Sequence, residues 1–338
     1  FSSNSSSKAK VLNSLTPLLK QSRIEDLFVF KVSNWETYSK RIITEIKNRF
    51  DGKIIVRSST SLEDNLTSSN DGLFHSELNV KSNCSEAVTI AIDKVVESYK
   101  KKLNNLADEQ ILIQKQTQDI KINGVVLTRD ILRNSPYYVV NYDLGNETNT
   151  VTAGISSKNI RIIKNIGYNK LNKPWKQLIK AVNEIEKLLD GLALDIEFAI
   201  KNNNEVIIFQ VRPLAAVNRF VNVPDENIYD LLKLTISRYD FLSKHSIIKN
   251  SYTLSDMSFW NPAEIIGSKP DNLSYSLYKY ILLNQEWNRA LSSLGYKKID
   301  RPIMVRILNK PYIEVETAFR SLMPENICGE IEKKLLKI

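Results

Sequence analysis

The 338-residue sequence has no apolar run that approaches 18 residues, so it predicts no membrane-spanning helix. Its only two cysteines, Cys84 and Cys328, lie far apart and fit neither a metal-binding nor a redox spacing. This cysteine usage suits a reducing compartment, and we expect a cytoplasmic protein. The sequence begins with Phe rather than Met, so we also expect residues upstream of it.

The sequence also lacks the pattern of a nucleic-acid-binding protein. Its formal net charge is +9, but the lysines are mostly dispersed. The densest run, Lys100-Lys101-Lys102, lies near the end of an amphipathic helical pattern over residues 87–106. We interpret this run as the solvated end of a helix. Aromatic and basic residues do not interleave on any predicted strand. We therefore predict no nucleic-acid partner, and the excess charge suits anionic small molecules.

The order of apolar runs predicts an α/β (α+β) fold. Hydrophobic residues make up 42% of the chain and charged residues 25%, which is ordinary for a globular protein. Long helical patterns over residues 8–19, 87–106 and 174–189 alternate with short β-branched runs. The predicted strands lie at 54–56, 111–114, 125–128 and 137–141. Aromatic, helix-rich segments dominate after residue 218, which places a domain boundary near residues 215–225.

The segment from Ile54 to Val80 is the first candidate for a binding site. A β-branched strand ends with Arg57, and a loop rich in Ser, Thr and Asn then reaches Gly72. Backbone N–H groups, hydroxyls and one guanidinium are suited to an anionic ligand such as phosphate. The alternative is a flexible connector, which has a similar composition.

The segment from Leu192 to Leu214 predicts a β-hairpin with chemistry on one face. Two apolar strands flank an Asn-rich turn, and a turn centred on Asn203-Asn204 places Glu197 opposite Gln210 and Asp195 opposite Arg212. Directly opposed side chains lie about 4.5–5.5 Å apart at Cβ, so a carboxylate and an amide oxygen can share one hard cation such as Mg²⁺. The alternative is an ordinary polar face stabilised by a cross-strand Asp–Arg pair.

Four segments together resemble one enzyme family. In chain order they are KAKVLNSL at 8–15, VRSS at 56–59, QKQ at 114–116 with GVVLTRD at 124–130, and DIEF at 195–198 with FQVRP at 209–213. They resemble the lysine helix, phosphate loop, adenine-side strand and metal-binding hairpin of the phosphoenolpyruvate synthase and pyruvate phosphate dikinase family, which includes rifampicin phosphotransferase. The match is to the ATP-grasp nucleotide domain of that family. Two motifs depart from it, since Gly-Gln is Gly72-Leu73 here and Gln-x-Met is Gln114-Lys115-Gln116.

The resemblance implies that the chain binds ATP and Mg²⁺. Lys8, Arg57 and Arg212 would hold phosphates, and Glu197 and Gln210 would bind the metal. The nucleotide-binding set implied in full is Lys8, Arg57, Ser58, Gly72, Gln114, Lys115, Gln116, Thr128, Asp195 and Arg212, with Gln114 to Gln116 beside the adenine.

The resemblance also implies a domain plan. Residues 1–217 would form the ATP-grasp nucleotide-binding domain, with lobes over 1–109 and 110–217, and residues 218–338 a helix-rich accessory domain. The family relays a phosphoryl group through a histidine on a swivelling C-terminal domain. His75 and His245 are the only histidines, and neither matches the phosphohistidine motif. We therefore expect no catalytic residue here, and a phosphohistidine on a C-terminal domain outside this sequence.

The C-terminal region suggests the acceptor. Asn261, Pro262 and Glu264 predict a capped helix start. The segments WNPAEIIG, SLYKYILLNQEW and PYIEVETAFRSLMP resemble synthase-like kinases of bacterial surface polysaccharides, among them L-glutamine kinases of capsular phosphoramidate synthesis. That resemblance implies a small-molecule acceptor, L-glutamine, whose amide is phosphorylated with release of AMP and phosphate. The alternatives are a phosphoenolpyruvate synthase or antibiotic phosphotransferase-like kinase acting on another small acceptor, and a non-catalytic nucleotide sensor.

Overall fold

The chain divides into two compact units, residues 1–222 and 223–338. All the site residues predicted from the sequence belong to the first unit. The computed structural model describes residues 7–60, 74–103, 105–132, 134–145, 158–166, 168, 171–214, 223–244, 246, 252–258 and 260–336.

The first unit begins with helix α1 (Lys8–Leu15) and a four-stranded antiparallel sheet. The strands are β1 (Leu27–Lys31), β2 (Lys53–Ser59), β3 (Ser76–Lys81) and β4 (Gln110–Lys115), in the order β1-β4-β2-β3. Helices α2 (Val32–Arg49) and α3 (Ser85–Lys100) cover one face with apolar side chains. The order places β2 and β4, which carry Arg57 and Gln114, in the middle of the sheet.

The two central strands of this sheet present different residues to its two faces. Ile54 and Val56 are buried in the core shared with α2 and α3. Side chains alternate along a strand, so Arg57 lies on the opposite face. It is paired with Leu112, and Gln114 follows on that same face two residues along β4. This second face of the sheet carries Arg57 and Gln114.

A five-stranded antiparallel sheet completes the first unit. Its strands are β5 (Ile120–Leu127), β6 (Tyr137–Leu144), β7 (Lys158–Ile163), β8 (Leu194–Lys201) and β9 (Val206–Pro213), in the order β7-β6-β5-β8-β9. Helix α4 (Lys173–Leu188) buries its apolar face in the same core as Ile196 and Phe198. The alternate residues Asp195 and Glu197 therefore point to the other face of the sheet.

Helix α1 joins the two sheets. Its residues Ala9, Leu12 and Leu15 are buried in the core of the five-stranded sheet, which also contains Leu27 and Leu112 of the four-stranded sheet. Burying a leucine side chain stabilises a fold by about 1.5–3 kcal/mol. One continuous apolar cluster thus fixes the distance between the sheets, and with it the distance between the residues they present to each other.

The second unit contains a small sheet as well as helices. Strands β10 (Leu254–Ser255), β11 (Met304–Ile307) and β12 (Lys310–Glu314) pair in the order β10-β12-β11. This sheet was not expected from the sequence. The helices of the unit are α5 (Asp225–Lys244), α6 (Pro262–Ile266), α7 (Asn272–Tyr278), α8 (Glu286–Ser293), α9 (Val315–Arg320), α10 (Gly329–Leu335) and a π-helix at Lys279–Asn284.

The predicted α/β class is confirmed, and the first unit contains two antiparallel sheets. Strand β4 belongs to the first of them, although the expected boundary between the lobes places residues 110–115 in the second. Asn261 caps α6 as predicted, because its side-chain oxygen accepts a hydrogen bond from the Ala263 N–H at 2.9 Å. Helix α1 ends at Leu15, short of the predicted residue 19, and α3 ends at Lys100. Among the described residues, none of the helices is long and apolar enough to cross a membrane.

Gly124 in β5 leads to a testable expectation about stability. A Cβ at this position would stand 2.1 Å from the carbonyl oxygen of Asn141 on β6, so the strands would have to move apart. We expect Gly124→Ala to lower the free energy of unfolding by about 3 kcal/mol in urea denaturation. Gly329→Ala is the control, because a Cβ there meets nothing within 4 Å. Equal losses in the two variants would contradict the expectation.

Candidate functional site

The hairpin of β8 and β9 brings the predicted metal ligands together. Glu197 is paired with Gln210, and Asp195 is paired with Arg212, which is the register expected from the sequence. All four residues lie on the face of the sheet that is turned away from α4, because the residues between them fill the core. The hairpin therefore presents a carboxylate and an amide side by side.

The turn of this hairpin differs from the one expected. Strand pairing nearest the turn joins Ile200 to Val206, which is one residue out of step with a turn centred on Asn203-Asn204. Asn204 has φ +67°, a left-handed conformation that Asn tolerates. A bulge between Glu197 and Phe198 absorbs the extra residue and restores the expected register at the site. Such bulges re-aim side chains and often lie beside functional sites.

Arg57 reaches from the four-stranded sheet to this hairpin. Its Nη2 donates to Glu197 Oε2 at 3.3 Å and to Gln210 Oε1 at 3.5 Å, and its Nη1 donates to the Phe209 carbonyl oxygen at 3.4 Å. The Arg57 and Glu197 side chains are 15% and 20% exposed. Residues more than a hundred positions apart thus meet at one partly buried point, where a positive charge already lies between the two expected metal ligands.

Two buried side-chain amides keep unused hydrogen-bonding capacity. Gln114 and Gln210 are each 1% exposed. In the described part of the chain, neither amide atom of Gln114 has a partner, and the Nε2 of Gln210 has none. Buried polar atoms are nearly always hydrogen-bonded in folded proteins, so such atoms indicate a missing partner. A ligand that offers both donors and acceptors would satisfy them.

Asp195 and Arg212 hold each other on the same face as Glu197. Arg212 donates from Nε and Nη2 to Asp195 Oδ2 at 3.0 and 2.7 Å, and both side chains are largely buried. These are the short distances of a charge-assisted pair. The cross-strand Asp–Arg pair, which the sequence offered as a stabilising alternative, is therefore present. The predicted contact of this pair with a nucleotide stays a prediction.

The strand end at Ser58 is arranged differently from the prediction. Alternation turns Ser58 away from Arg57, towards the core of α2 and α3, where it is buried. Ser59 shares the face of Arg57, and its hydroxyl accepts a hydrogen bond from the Ala9 N–H at 3.1 Å. Lys8 begins α1 directly before that contact. Lys8 and Ser59 thus lie near each other at this strand end, whereas the side chain of Ser58 points to the opposite face. Period-two alternation along the strand already predicts this difference.

Gln116 and Thr128 hold strands rather than line the site. Gln116 exchanges two amide hydrogen bonds with Asn79, at 2.8 and 3.2 Å. The Thr128 hydroxyl accepts from the Leu194 N–H at 2.8 Å and is fully buried. Lys115 is exposed at the end of β4. Of the adenine-side residues expected from the sequence, Gln114 lies within β4 on the face that carries Arg57.

Gly72 and His245 lie outside the described residues. His75 bonds Glu77 through Nε2 at 2.6 Å, and Glu77 also accepts from Lys94. Hydrogen bonds from His75 and then from Lys94 lower the pKa of Glu77. The described histidine is thus engaged by its own strand and makes no contact with Arg57 or Glu197 among the bonds it forms.

The described residues hold no group of three or more His, Cys, Asp or Glu able to bind a metal. The candidate site offers two neighbouring oxygens, one from Glu197 and one from Gln210. This set fits Mg²⁺, which usually keeps several waters and is held by one or two protein oxygens together with substrate phosphates. It does not fit zinc, whose protein sites are built mainly around histidine and cysteine, since Glu197 and Gln210 supply neither.

Comparisons with known proteins find similarity only among solved structures. No family model matches the chain. No curated protein matches it. D-Alanine-D-alanine ligase from Helicobacter pylori is 15% identical with a TM-score of 0.38, over 63% of this chain and 55% of that one. D-Alanyl-alanine synthetase A from Vibrio cholerae is 11% identical with a TM-score of 0.35, over 65% and 58%.

A third similar structure is the dinucleotide-forming acetyl-coenzyme A synthetase 1 of Ca. Korarchaeum cryptofilum. It is 11% identical with a TM-score of 0.39, over 63% of this chain and 94% of that one. These neighbours are ATP-grasp enzymes. The chain spans little more than half the length of the two ligases it matches. At such identities and TM-scores, the likeness establishes nothing about activity.

The unpartnered amide of Gln114 predicts an unusual response to mutation. Replacing it by the similarly sized Leu removes two unsatisfied buried atoms, so Gln114→Leu should raise the free energy of unfolding by about 1 kcal/mol. Gln116→Leu is the matched control and should lower it by about 1 kcal/mol, because it breaks two hydrogen bonds to Asn79. Urea denaturation measures both. Comparable destabilisation by both substitutions would show that Gln114 is satisfied in solution.

Proposed function

We propose that the chain binds ATP with Mg²⁺ and is the nucleotide-binding part of an ATP-dependent phosphotransferase. The observation that supports this most is the meeting of Arg57 with Glu197 and Gln210 between two sheets. A guanidinium is suited to phosphate oxygens, and the two side-chain oxygens are suited to a hard cation. One point of the molecule thus has the groups needed for both halves of a metal–nucleotide complex.

The surroundings of this point suit the rest of a nucleotide. Val125 and Leu127 of β5 pair with Glu197 and Asp195, so they share their face and offer a half-buried apolar surface beside the charges. Gln114 keeps an unused donor and an unused acceptor on the facing sheet. Flat bases bind where apolar surface combines with a few fixed polar groups. Apolar surface, an unsatisfied amide and positive charge are therefore all present.

When bound, ATP supplies the phosphoryl group that is transferred. The residues of this chain would act by position and charge. Arg57 would offset negative charge on phosphate oxygens, and Glu197 and Gln210 would hold Mg²⁺. Asp195 fixes the guanidinium plane of Arg212 through two hydrogen bonds to one oxygen, which keeps that charge at the end of the hairpin. This arrangement needs no nucleophile from the first unit.

The acceptor is the finer part of the proposal and rests on the sequence resemblance. The resemblance of residues 260–324 to L-glutamine kinases supports L-glutamine, phosphorylated on its amide with release of AMP and phosphate. The resemblance to the synthase and dikinase family supports a relay through a histidine on a further domain. The engagement of His75 by Glu77 agrees with a relay histidine elsewhere.

Glu197→Ala tests the metal–nucleotide assignment. We expect it to weaken Mg²⁺-dependent ATP binding more than tenfold in calorimetry, because it removes the charged ligand of the pair and leaves Gln210 alone. Glu205→Ala is the control on the same hairpin, where Glu205 pairs with Arg23 at 3.2 Å at the turn end. It should leave the affinity within about twofold. A folded Glu197→Ala protein with wild-type affinity would refute the assignment.

The relay predicts that these 338 residues do not complete phosphotransfer alone. Incubation with radioactive ATP, Mg²⁺ and L-glutamine should give no labelled product and no labelled protein, because His75 is held beside Glu77. Addition of a separately produced C-terminal histidine domain should give turnover, and His75→Ala should leave that turnover within twofold. Phosphorylation of L-glutamine by the chain alone, or labelling of His75 or His245 at a catalytic rate, would contradict the relay.

A further inference from the structure

The guanidinium of Arg57 lies where a divalent cation would bind. Its Nη2 is shared between Glu197 Oε2 and Gln210 Oε1, at 3.3 and 3.5 Å. Magnesium would take the same two oxygens at about 2.0–2.1 Å. The arginine and the metal would then compete for one carboxylate. Because both are positively charged, each would weaken the binding of the other to that carboxylate.

The two arginines of the site, Arg57 and Arg212, differ in the lengths of their hydrogen bonds. Arg212 makes hydrogen bonds of 2.7 and 3.0 Å to Asp195. Arg57 makes three of 3.3–3.5 Å, one of them to the carbonyl oxygen of Phe209. Charge-assisted N–H···O bonds normally measure about 2.7–2.9 Å. Arg57 is therefore the arginine that can leave its partners at low cost.

A phosphate group would give Arg57 a better partner than its present ones. A guanidinium binds two phosphate oxygens through parallel hydrogen bonds, which the separate carboxylate, amide and carbonyl oxygens around Arg57 do not reproduce. A nucleotide phosphate entering between the sheets would draw Arg57 away from Glu197 and Gln210. Both oxygens would then become available to the metal.

We propose that Arg57 is a charge latch: it closes the Glu197–Gln210 metal seat until a nucleotide phosphate takes its guanidinium. This inference rests on the proposed function of the same site. Its consequence is that the metal binds poorly to the chain alone and binds well with the nucleotide. Because linkage is reciprocal, the same residue couples nucleotide affinity to metal. Removing the positive charge should open the seat and weaken that coupling.

The test measures binding of Mn²⁺, a substitute for Mg²⁺, by the loss of its free electron paramagnetic resonance signal. Without nucleotide, Arg57→Gln should bind Mn²⁺ at least tenfold more tightly than the wild type, and the additional change Glu197→Gln should abolish the gain. Arg23→Gln is the control for charge, since Arg23 pairs with Glu25 and Glu205 at 3.3 and 3.2 Å outside the seat. It should leave Mn²⁺ affinity within twofold.

The outcomes separate the latch from the proposed function. If the wild type binds Mn²⁺ with a non-hydrolysable ATP analogue, but Arg57→Gln gains no affinity for Mn²⁺ alone, the latch is wrong and the nucleotide site stands. If no Mn²⁺–nucleotide complex binds at all, the proposed function fails as well.

A second measurement uses the wild type and does not depend on a variant that folds. The side-chain NMR signal of Arg57 should shift when the metal-free analogue is added. The signal should not shift when Mg²⁺ is added without the nucleotide analogue. Mg²⁺ replaces Mn²⁺ in this measurement because it is diamagnetic. A shift with Mg²⁺ alone, or none with the analogue, would overturn the latch.

Discussion

The contact of Arg57 with Glu197 and Gln210 is the interaction on which the candidate site depends, because its members come from two different sheets. The distance between those sheets is set elsewhere, by α1 and by Leu27 and Leu112, which join the core of the other sheet. The contact itself is long, and its energy is correspondingly small. The apolar cluster supplies the stability, and the polar contact supplies a charge arrangement that a ligand can replace.

Because the apolar cluster supplies the stability, the fold can tolerate buried polar atoms that have no hydrogen-bond partner. An unsatisfied buried amide costs about 1–3 kcal/mol, and Gln114 has both amide atoms in that condition in the described structure. Nothing in the packing of the four-stranded sheet requires a polar side chain there, since Leu112 on the same face is apolar. A binding site that is organised before its ligand arrives would carry such a free-energy cost in its unsatisfied polar groups.

Some of the site could be predicted from the sequence, because it depends on short-range rules. Period-two alternation and an Asn-rich turn predicted the pairing of Glu197 with Gln210, but the turn is one residue out of step. The pairing holds because of a bulge that had no signal in the sequence. Strand β1 was missed because it runs directly into α2 with no turn between them. The contact of Arg57 with Glu197 spans 140 positions and depends on tertiary packing, which spacing does not reveal. Thr128 and Gln116 matched a motif of the family, but their side chains accept hydrogen bonds from backbone N–H groups of neighbouring strands.

The central claim is that both sheets bind one metal–nucleotide complex, and anomalous X-ray diffraction from crystals with Mn²⁺ and a non-hydrolysable ATP analogue tests it most directly. The account predicts an anomalous peak within about 2.5 Å of oxygens from both Glu197 and Gln210, with phosphate density against the guanidinium of Arg57. A manganese peak at another place, or nucleotide density that does not touch the β8–β9 hairpin, would contradict it.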